Sequence, residues 1–455
     1  MFSRVKLKSV SKEIGSGITP LRSNPLFWDN GLIPWLKTEQ LGENKIYETS
    51  EKITQYAIEK TSIKVFPVNT LSIAMYGEGR TRGNVSILKT AMTTNQACCN
   101  IVVDEKKANH EFIYYFLKTQ YHQLRSLSSG VRKNLNSNDI KEFEIRLPKD
   151  IKTQQNIASV LSSLDSKIEL NNRINAELEQ MAKTIYDYWF VQFDFPMSAE
   201  YAASIGQPEL EGKPYKSSGG KMVWNRELKR EVPEGWEVGT FNSYCPSTGG
   251  FAFKSEWWTD KGVAVAKIKD IQEDYKLDTS DLARVDISDK SIDNKFKSKP
   301  GDILIAMTGA TVGKYAIVPI TDYPIYVNQR VGYFNLGADP CSKLPFLINS
   351  MNQSYFRNVI FTLANGAAQP NISNDQINNI PLLMPDRHLL EKFNDNQQAA
   401  YRKILINQKE NQELTSLRDW LLPMLMNGQV RVGDVEEDLV GMAAEAVEEY
   451  KVRGK

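Results

Sequence analysis

The chain is poor in the residues that build metal centres and disulfide scaffolds. Its 455 residues include four cysteines and three histidines. Cys98 and Cys99 are adjacent, Cys245 and Cys341 stand alone, and His110, His122 and His388 are scattered. No zinc-site spacing arises from these positions, and so few cysteines cannot staple a fold of this length. No run of about 18 apolar residues exists, which excludes a membrane-spanning helix. The opening Met1-Phe2-Ser3-Arg4-Val5-Lys6-Leu7-Lys8 has no apolar leader segment. A reducing cytoplasm is the expected location, with no membrane partner. Convincing Ser/His/Asp or Cys/His arrangements and paired carboxylates are also missing, so catalysis by this chain alone has little support.

What is present describes a soluble globular protein, 41% hydrophobic and 24% charged, long enough for two or three domains. The net charge of +1 hides an asymmetry. Residues 1–150 hold 22 Lys and Arg against 15 Asp and Glu, or +7, and the remainder comes to −6. Part of that deficit lies in an acidic tail, residues 429–455. A basic first domain is suggestive of a phosphate-binding face, whereas charge alone would not mark the second half.

The second half repeats the first at a spacing of about 230–237 residues. Pro34-Trp35-Leu36-Lys37-Thr38 lies over Ala264-Val265-Ala266-Lys267-Ile268, and Ile73-Ala74-Met75 over Ile305-Ala306-Met307. Asn95-Gln96 lies over Asn328-Gln329, and Ser137-Asn138-Asp139 over Ser373-Asn374-Asp375. Each copy ends in a long helical pattern. In the first, Ile157, Leu161, Leu164, Ile168, Asn171, Asn175, Leu178, Met181 and Ile185 follow a heptad seam. Adding 236 gives Phe393, Gln397, Ala400, Ile404, Asn407, Asn411, Leu414, Leu417 and Leu421. No Pro or Gly interrupts either helix until Pro423, which is expected to stop the second with Gly428. An amphipathic helix on a globular core would carry a similar seam. The length, and two polar residues at seam positions, favour an antiparallel pair in which Asn171 faces Asn411 and Asn175 faces Asn407.

The expected fold class is therefore α+β, with two globular α/β domains at opposite ends of an antiparallel two-helix coiled-coil rod. The predicted segments are a domain over 1–150, a helix over 151–190, a mostly loop linker over 191–235, a domain over 236–385, a helix over 386–428, and the tail.

Candidate binding residues cluster at strand ends. Gly309-Ala310-Thr311-Val312-Gly313-Lys314 has three residues between its glycines and Tyr315 after its Lys, so it fails as a phosphate loop. It reads as a Gly-rich turn, as does Gly77-Glu78-Gly79-Arg80-Thr81-Arg82-Gly83, each presenting a cation. A plain basic hairpin is an equal reading. Asn95, Gln96, Asn328, Gln329 and Arg330 have the chemistry for bidentate contacts to base edges, with turn capping as the alternative. Lys37, Thr38, Lys267, Lys269 and Thr308 complete the strand-end candidates. Arg132 and Lys133, and Gln369 and Asn371, sit in loops before the two Ser-Asn-Asp helix caps.

Several strings resemble the specificity subunit of type I restriction-modification systems. These are Gly15-Ser16-Gly17-Ile18-Thr19-Pro20 with Ile33-Pro34-Trp35-Leu36, Val232-Pro233-Glu234-Gly235-Trp236-Glu237, and Leu147-Pro148 with Gln154-Gln155-Asn156-Ile157-Ala158. The second copy departs from the last string, with Leu390-Glu391-Lys392-Phe393-Asn394 in its place. The resemblance implies a non-catalytic subunit. Its two target-recognition domains each read half of a bipartite, asymmetric DNA sequence, and its helices set the gap. It also implies two modification (methyltransferase) subunits and restriction (translocase and nuclease) subunits as partners. S-adenosylmethionine, ATP and Mg belong to those partners, and this chain holds no cofactor. The competing reading is a coiled-coil interaction scaffold that binds no specific DNA sequence.

Overall fold

The computed structural model describes every residue except 1, 43–44, 78–80, 128–133, 291, 365–369, 431 and 433–455. Nearly all of the acidic tail thus lies outside the described residues. The chain forms two compact units, Met1–Ile168 with Glu413–Lys455, and Glu169–Gln412. Each unit combines one copy of the repeat with part of each long helix.

In the first unit, Phe2–Lys6 pairs antiparallel with Glu144–Pro148. A five-stranded sheet runs in the order Ser11–Ser16, Cys98–Val103, Leu71–Ala74, Val85–Leu88, Lys45–Ile46. A three-stranded sheet runs Glu51–Ile53, Ile33–Leu36, Thr93–Thr94. The helix His110–Thr119, capped by the Asn109 side chain at the Phe112 amide, buries its apolar face in a core with Leu71, Ile73, Val85 and Ile87. Ile157, Leu161 and Leu164 from the first long helix and Leu421, Leu425 and Met426 from the second join that core.

The second unit repeats the plan. Glu237–Thr240 pairs with Pro381–Met384. A four-stranded sheet runs Ser247–Gly249, Val331–Phe334, Ile303–Ala306, Tyr315–Ile317. A five-stranded sheet runs Trp258–Thr259, Ala283–Val285, Val263–Ala266, Ile325–Val327, Lys297–Ser298. Helices Leu344–Met351 and Ser354–Ala364 bring Leu344, Phe346, Phe356 and Ile360 into its core. The linker differs from the expectation of loose loop. It carries the hairpin Met222–Asn225 and Arg230–Pro233, and buries Phe193, Phe195, Met197 and Tyr215 in the second core. Its aromatics, with Phe195 stacked 5.1 Å from Trp236, outweigh its charges.

The long helices span Ile151–Tyr186 and Arg387–Asn427. Asp150 caps the first through the Thr153 amide, and Asp386 the second through the His388 amide. Pro423 does not stop the second helix, which runs one more turn. A proline there removes one hydrogen bond close to an end where bonds already run out. Gly428, at φ 70°, ends it.

The helices run antiparallel within each unit. In the second, Asn171 Nδ2 donates to Asn411 Oδ1 at 2.9 Å and Asn407 Nδ2 to Asn175 Oδ1 at 2.8 Å. Asn171 also donates to Glu410, and Asn411 to Asn172. Ile404 is buried and Leu178 half-buried beside them. In the first, Arg418 Nη1 donates to Asp165 Oδ1 at 2.8 Å, with Leu414 and Leu417 half-buried and packed on the core. Ile168 is half-buried. The seam drifts beyond Leu178: Met181 is 60% exposed, and Ala182 turns inward. Two three-residue steps lag behind a helix of 3.6 residues per turn, so the inward position moves on by one.

Candidate nucleic-acid interface

The candidate residues fall into two neighbouring groups in each unit. In the first unit, Leu36 and Thr94 end two parallel strands. The Asn95 amide donates to the Leu36 carbonyl at 2.9 Å, which sets Asn95-Gln96 beside Lys37-Thr38. In the second unit the Asn328 amide donates to the Ala266 carbonyl at 3.1 Å, placing Asn328-Gln329-Arg330 beside Lys267. The same backbone thus presents Asn-Gln beside Lys twice, followed by Ala97 in one unit and Arg330 in the other.

The Asn residues do turn work: Asn95 Oδ1 accepts from the Ala97 amide at 3.1 Å, and Asn328 Oδ1 from the Arg330 amide at 3.4 Å. Gln96 and Gln329 are exposed, and Thr19 Oγ1 donates to Gln96 Oε1. Lys37 is held 2.6 Å from Glu39 and 2.8 Å from Glu51, which raises its pKa; Glu51 also takes Arg22. Lys269 lies 3.1 Å from Asp270 and donates to the Asp281 carbonyl at 3.3 Å.

The second group occupies the hairpin turns. In the first unit the Gly83 amide, at φ 91°, closes the turn onto the Ala74 carbonyl, and Arg125 Nη1 donates to the Arg82 carbonyl at 3.4 Å. In the second unit the Gly313 amide closes onto Ala306, and Lys314 Nζ pairs with Glu273 at 3.0 Å. Bonds from the Gly309 amide to Pro370 and from the Ile372 amide to Met307 bring Asn371 against Thr308. The two groups touch through the Met75 amide on Ala97 and the Met307 amide on Arg330. Arg80, Arg132, Lys133 and Gln369 lie outside the described residues.

One cation escapes the sequence reading. Arg22 lies 3.8 Å over the Trp28 ring and 4.6 Å over Trp35. Its signal was available, because Trp28 and Lys37 both recur 230 positions later as Trp258 and Lys267. Among the described residues, no group of three or more His, Cys, Asp or Glu is placed to hold a metal ion. No helix among them is long and apolar enough to cross a membrane.

Each unit therefore offers polar and cationic loops on the same backbone plan. The family model described as type I restriction modification DNA specificity domain matches residues 2–180 and 233–416, one match on each copy. The chain belongs to this specificity-subunit family. It is similar to the type I restriction enzyme MjaIX specificity subunit of Methanocaldococcus jannaschii, 26% identical over 94% of both chains. It is also similar to the HindI specificity subunit of Haemophilus influenzae, 26% identical over 70% of this chain and 77% of that one. The fold matches a crystal structure of a type I restriction-modification S subunit from M. genitalium. That match has a TM-score of 0.59 and 17% identity, and covers 93% of this chain and 96% of that one. As a specificity subunit, this chain is the non-catalytic, DNA-specifying component of a restriction system, and each copy of the repeat is a target-recognition domain. That decides against a scaffold without DNA specificity.

Proposed function

We propose that the two domains read two different halves of a bipartite, asymmetric DNA target, while the long helices set the gap between them. The helices also dock two modification subunits, which supply S-adenosylmethionine-dependent adenine methylation. Restriction subunits add ATP- and Mg-dependent translocation and cleavage. The observation carrying this reading is the duplicated loop: the Asn95 and Asn328 amides make the same backbone bond, yet Gln96-Ala97 follows one and Gln329-Arg330 the other. Equal frames with unequal side chains suit unequal half-sites. Cytoplasmic action on cellular DNA follows from this role.

The test is the methylated motif, sequenced after expression with the modification subunit. Gln96→Ala is expected to relax preference in one half-site only, and Gln329→Ala in the other, each by about 1–3 kcal/mol. For the gap, one heptad is inserted after Ile168 and another after Glu413, at matched levels of the antiparallel register. Seven residues add about 10 Å of helix, or roughly three base pairs at 3.4 Å each. A gap unchanged in an active complex would assign spacing to the domains rather than the helices.

A further inference from the structure

Charge counting points to the first domain as the phosphate-binding one, yet the second carries the better-built cationic surface. Trp257 and Trp258 lie at the start of its five-stranded sheet, backed by Phe251, which stacks 5.9 Å from Trp257 at 14°. Three ammonium groups sit on the indoles: Lys267 Nζ is 3.5 Å from the Trp258 ring centre, and Lys290 and Lys254 are 5.1 and 5.9 Å from that of Trp257. Among the described residues, none of the three comes within ion-pair distance of a carboxylate. Asp270 and Asp286 act on Lys267 and Lys290 only at longer range. The first domain differs at the equivalent place. There Arg22 lies on Trp28 and Trp35, but Glu51 neutralises it and also takes Lys37.

We infer that Lys254, Lys267 and Lys290, ordered on Trp257 and Trp258, form a phosphate-contacting surface for duplex DNA in the second domain. This rests on the DNA-reading role proposed above and assigns the positioning contacts of one half-site. A lysine laid on an aromatic ring has already lost much of its side-chain freedom, so contact costs it less ordering. An ammonium with no carboxylate partner remains free to replace a counterion. As phosphate contacts, these ammonium groups set affinity and position rather than sequence.

The experiment measures DNA binding by the complex assembled with its modification subunit, on a duplex bearing its own methylated motif, across salt concentrations. Each phosphate contact adds about 0.9 to the slope of log affinity against log salt. Changing all three lysines to Gln is expected to flatten the slope by about 2 to 3 and to weaken binding to all sequences alike. Arg at all three positions should restore the slope. Lys254→Gln alone, at an exposed residue, should remove about one unit and guards against misfolding of the triple variant. An unchanged slope in both Gln variants overturns the assignment. A lost slope that Arg does not restore, or lost assembly with the modification subunit at unchanged slope, also overturns it, the latter in favour of a protein-binding surface. Wild-type complex that shows no salt-dependent, sequence-specific binding would instead refute the DNA-reading role itself.

Discussion

The two target-recognition domains share the order of four strands in their main sheets and fill it with opposite chemistry. Ser72 pairs across the first domain's main sheet with Ser86 on one side and Asn100 on the other. The matching positions in the second domain are Leu304, Ala316 and Tyr333. All six residues are fully buried. The first domain therefore has a polar layer where the second has an apolar one. Ser86 Oγ accepts from the Gly42 amide at 3.0 Å, and Asn100 Nδ2 donates to Thr94 Oγ1 at 2.7 Å. Asn100 Oδ1 finds no hydrogen-bond partner among the described residues, and Ser72 Oγ faces the Cys98 thiol, a weak partner. In the second domain the single phenol, Tyr333, donates to Asp302 at 2.8 Å. The comparison teaches that the shared plan resides in strand pairing and in the opposite, helix-covered faces, which are apolar in both: Leu71 and Ile73, Ile303 and Ile305.

The junctions with the helix pair differ in the same way. Asp165 accepts from Tyr115 at 2.6 Å and from Arg418 at 2.8 Å, with its side chain only 1% exposed. Adding the repeat offset of 236 to Asp165 gives Tyr401, a neutral group that accepts from Asn349 at 3.0 Å. Burial opposes the Arg418 charge, but Asp165 and Asp419 outweigh it and raise its pKa. Truncating one partner of a buried pair strands the other. Arg418→Met is therefore expected to destabilise the first unit by about 3–5 kcal/mol. Tyr401→Phe should cost the second unit about 1 kcal/mol. Denaturant unfolding of both variants checks the contrast, and equal losses would break it.

The interior layers predict a smaller split. Tyr333→Phe removes a donor from buried Asp302 and should cost about 1.5–3 kcal/mol. Ser72→Ala deletes a hydroxyl that faces only the weakly polar Cys98 thiol, so stability should hold within about 0.5 kcal/mol or rise. Thermal melts suffice. A large loss from Ser72→Ala would mean that the polar layer is satisfied after all.

Much of this was legible in the sequence, and the limits are physical. The repeat was readable because strand ends and helix caps reuse residue types, as in Asn95 and Asn328. Heptad spacing plus two polar seam positions gave the antiparallel pairing of Asn171 with Asn411. The seam failed at Met181 because the spacing pattern carries no account of helix drift. The linker misled because the charges around Phe193, Phe195 and Tyr215 hide how those rings pack. Ion pairs such as Lys37 with Glu51, and the lysines on Trp257 and Trp258, depend on contacts between separate strands, which periodicity cannot show. The polar layer needed a register, since Ser72 and Asn100 are 28 positions apart.

The smallest predicted difference is in acid stability. In the first unit the shifted carboxyls are depressed. Lys6 and Lys8 hold Glu142 at about 2, the Thr153 hydroxyl and amide lower Asp150, and Arg22 leads the lowering of Glu51. A depressed carboxyl stabilises the fold above its ordinary pKa, and that contribution is lost as pH falls through the folded value. The second unit has two lowered carboxyls, Asp278 and Asp286, but burial raises Asp302, Asp270 and Glu179. A raised carboxyl stabilises below its ordinary pKa, and its contribution is lost as pH rises through the folded value. Acidification from about pH 5 towards 2 should thus weaken the first unit more than the second, modestly, because Glu142 and Asp150 are exposed and salt screens them. The cysteines report each unit separately. Burial pushes Cys98 and Cys99 up to about 12 and Cys245 to about 11, and raises Cys341, so folded thiols stay unreactive. A pyridyl disulfide reactive at acid pH should label Cys98 and Cys99 before Cys245 and Cys341 as pH falls, with the interval shrinking at high salt. Labelling in the reverse order would show that the second domain's buried carboxyls do not protect it, and that the two interiors answer protons alike.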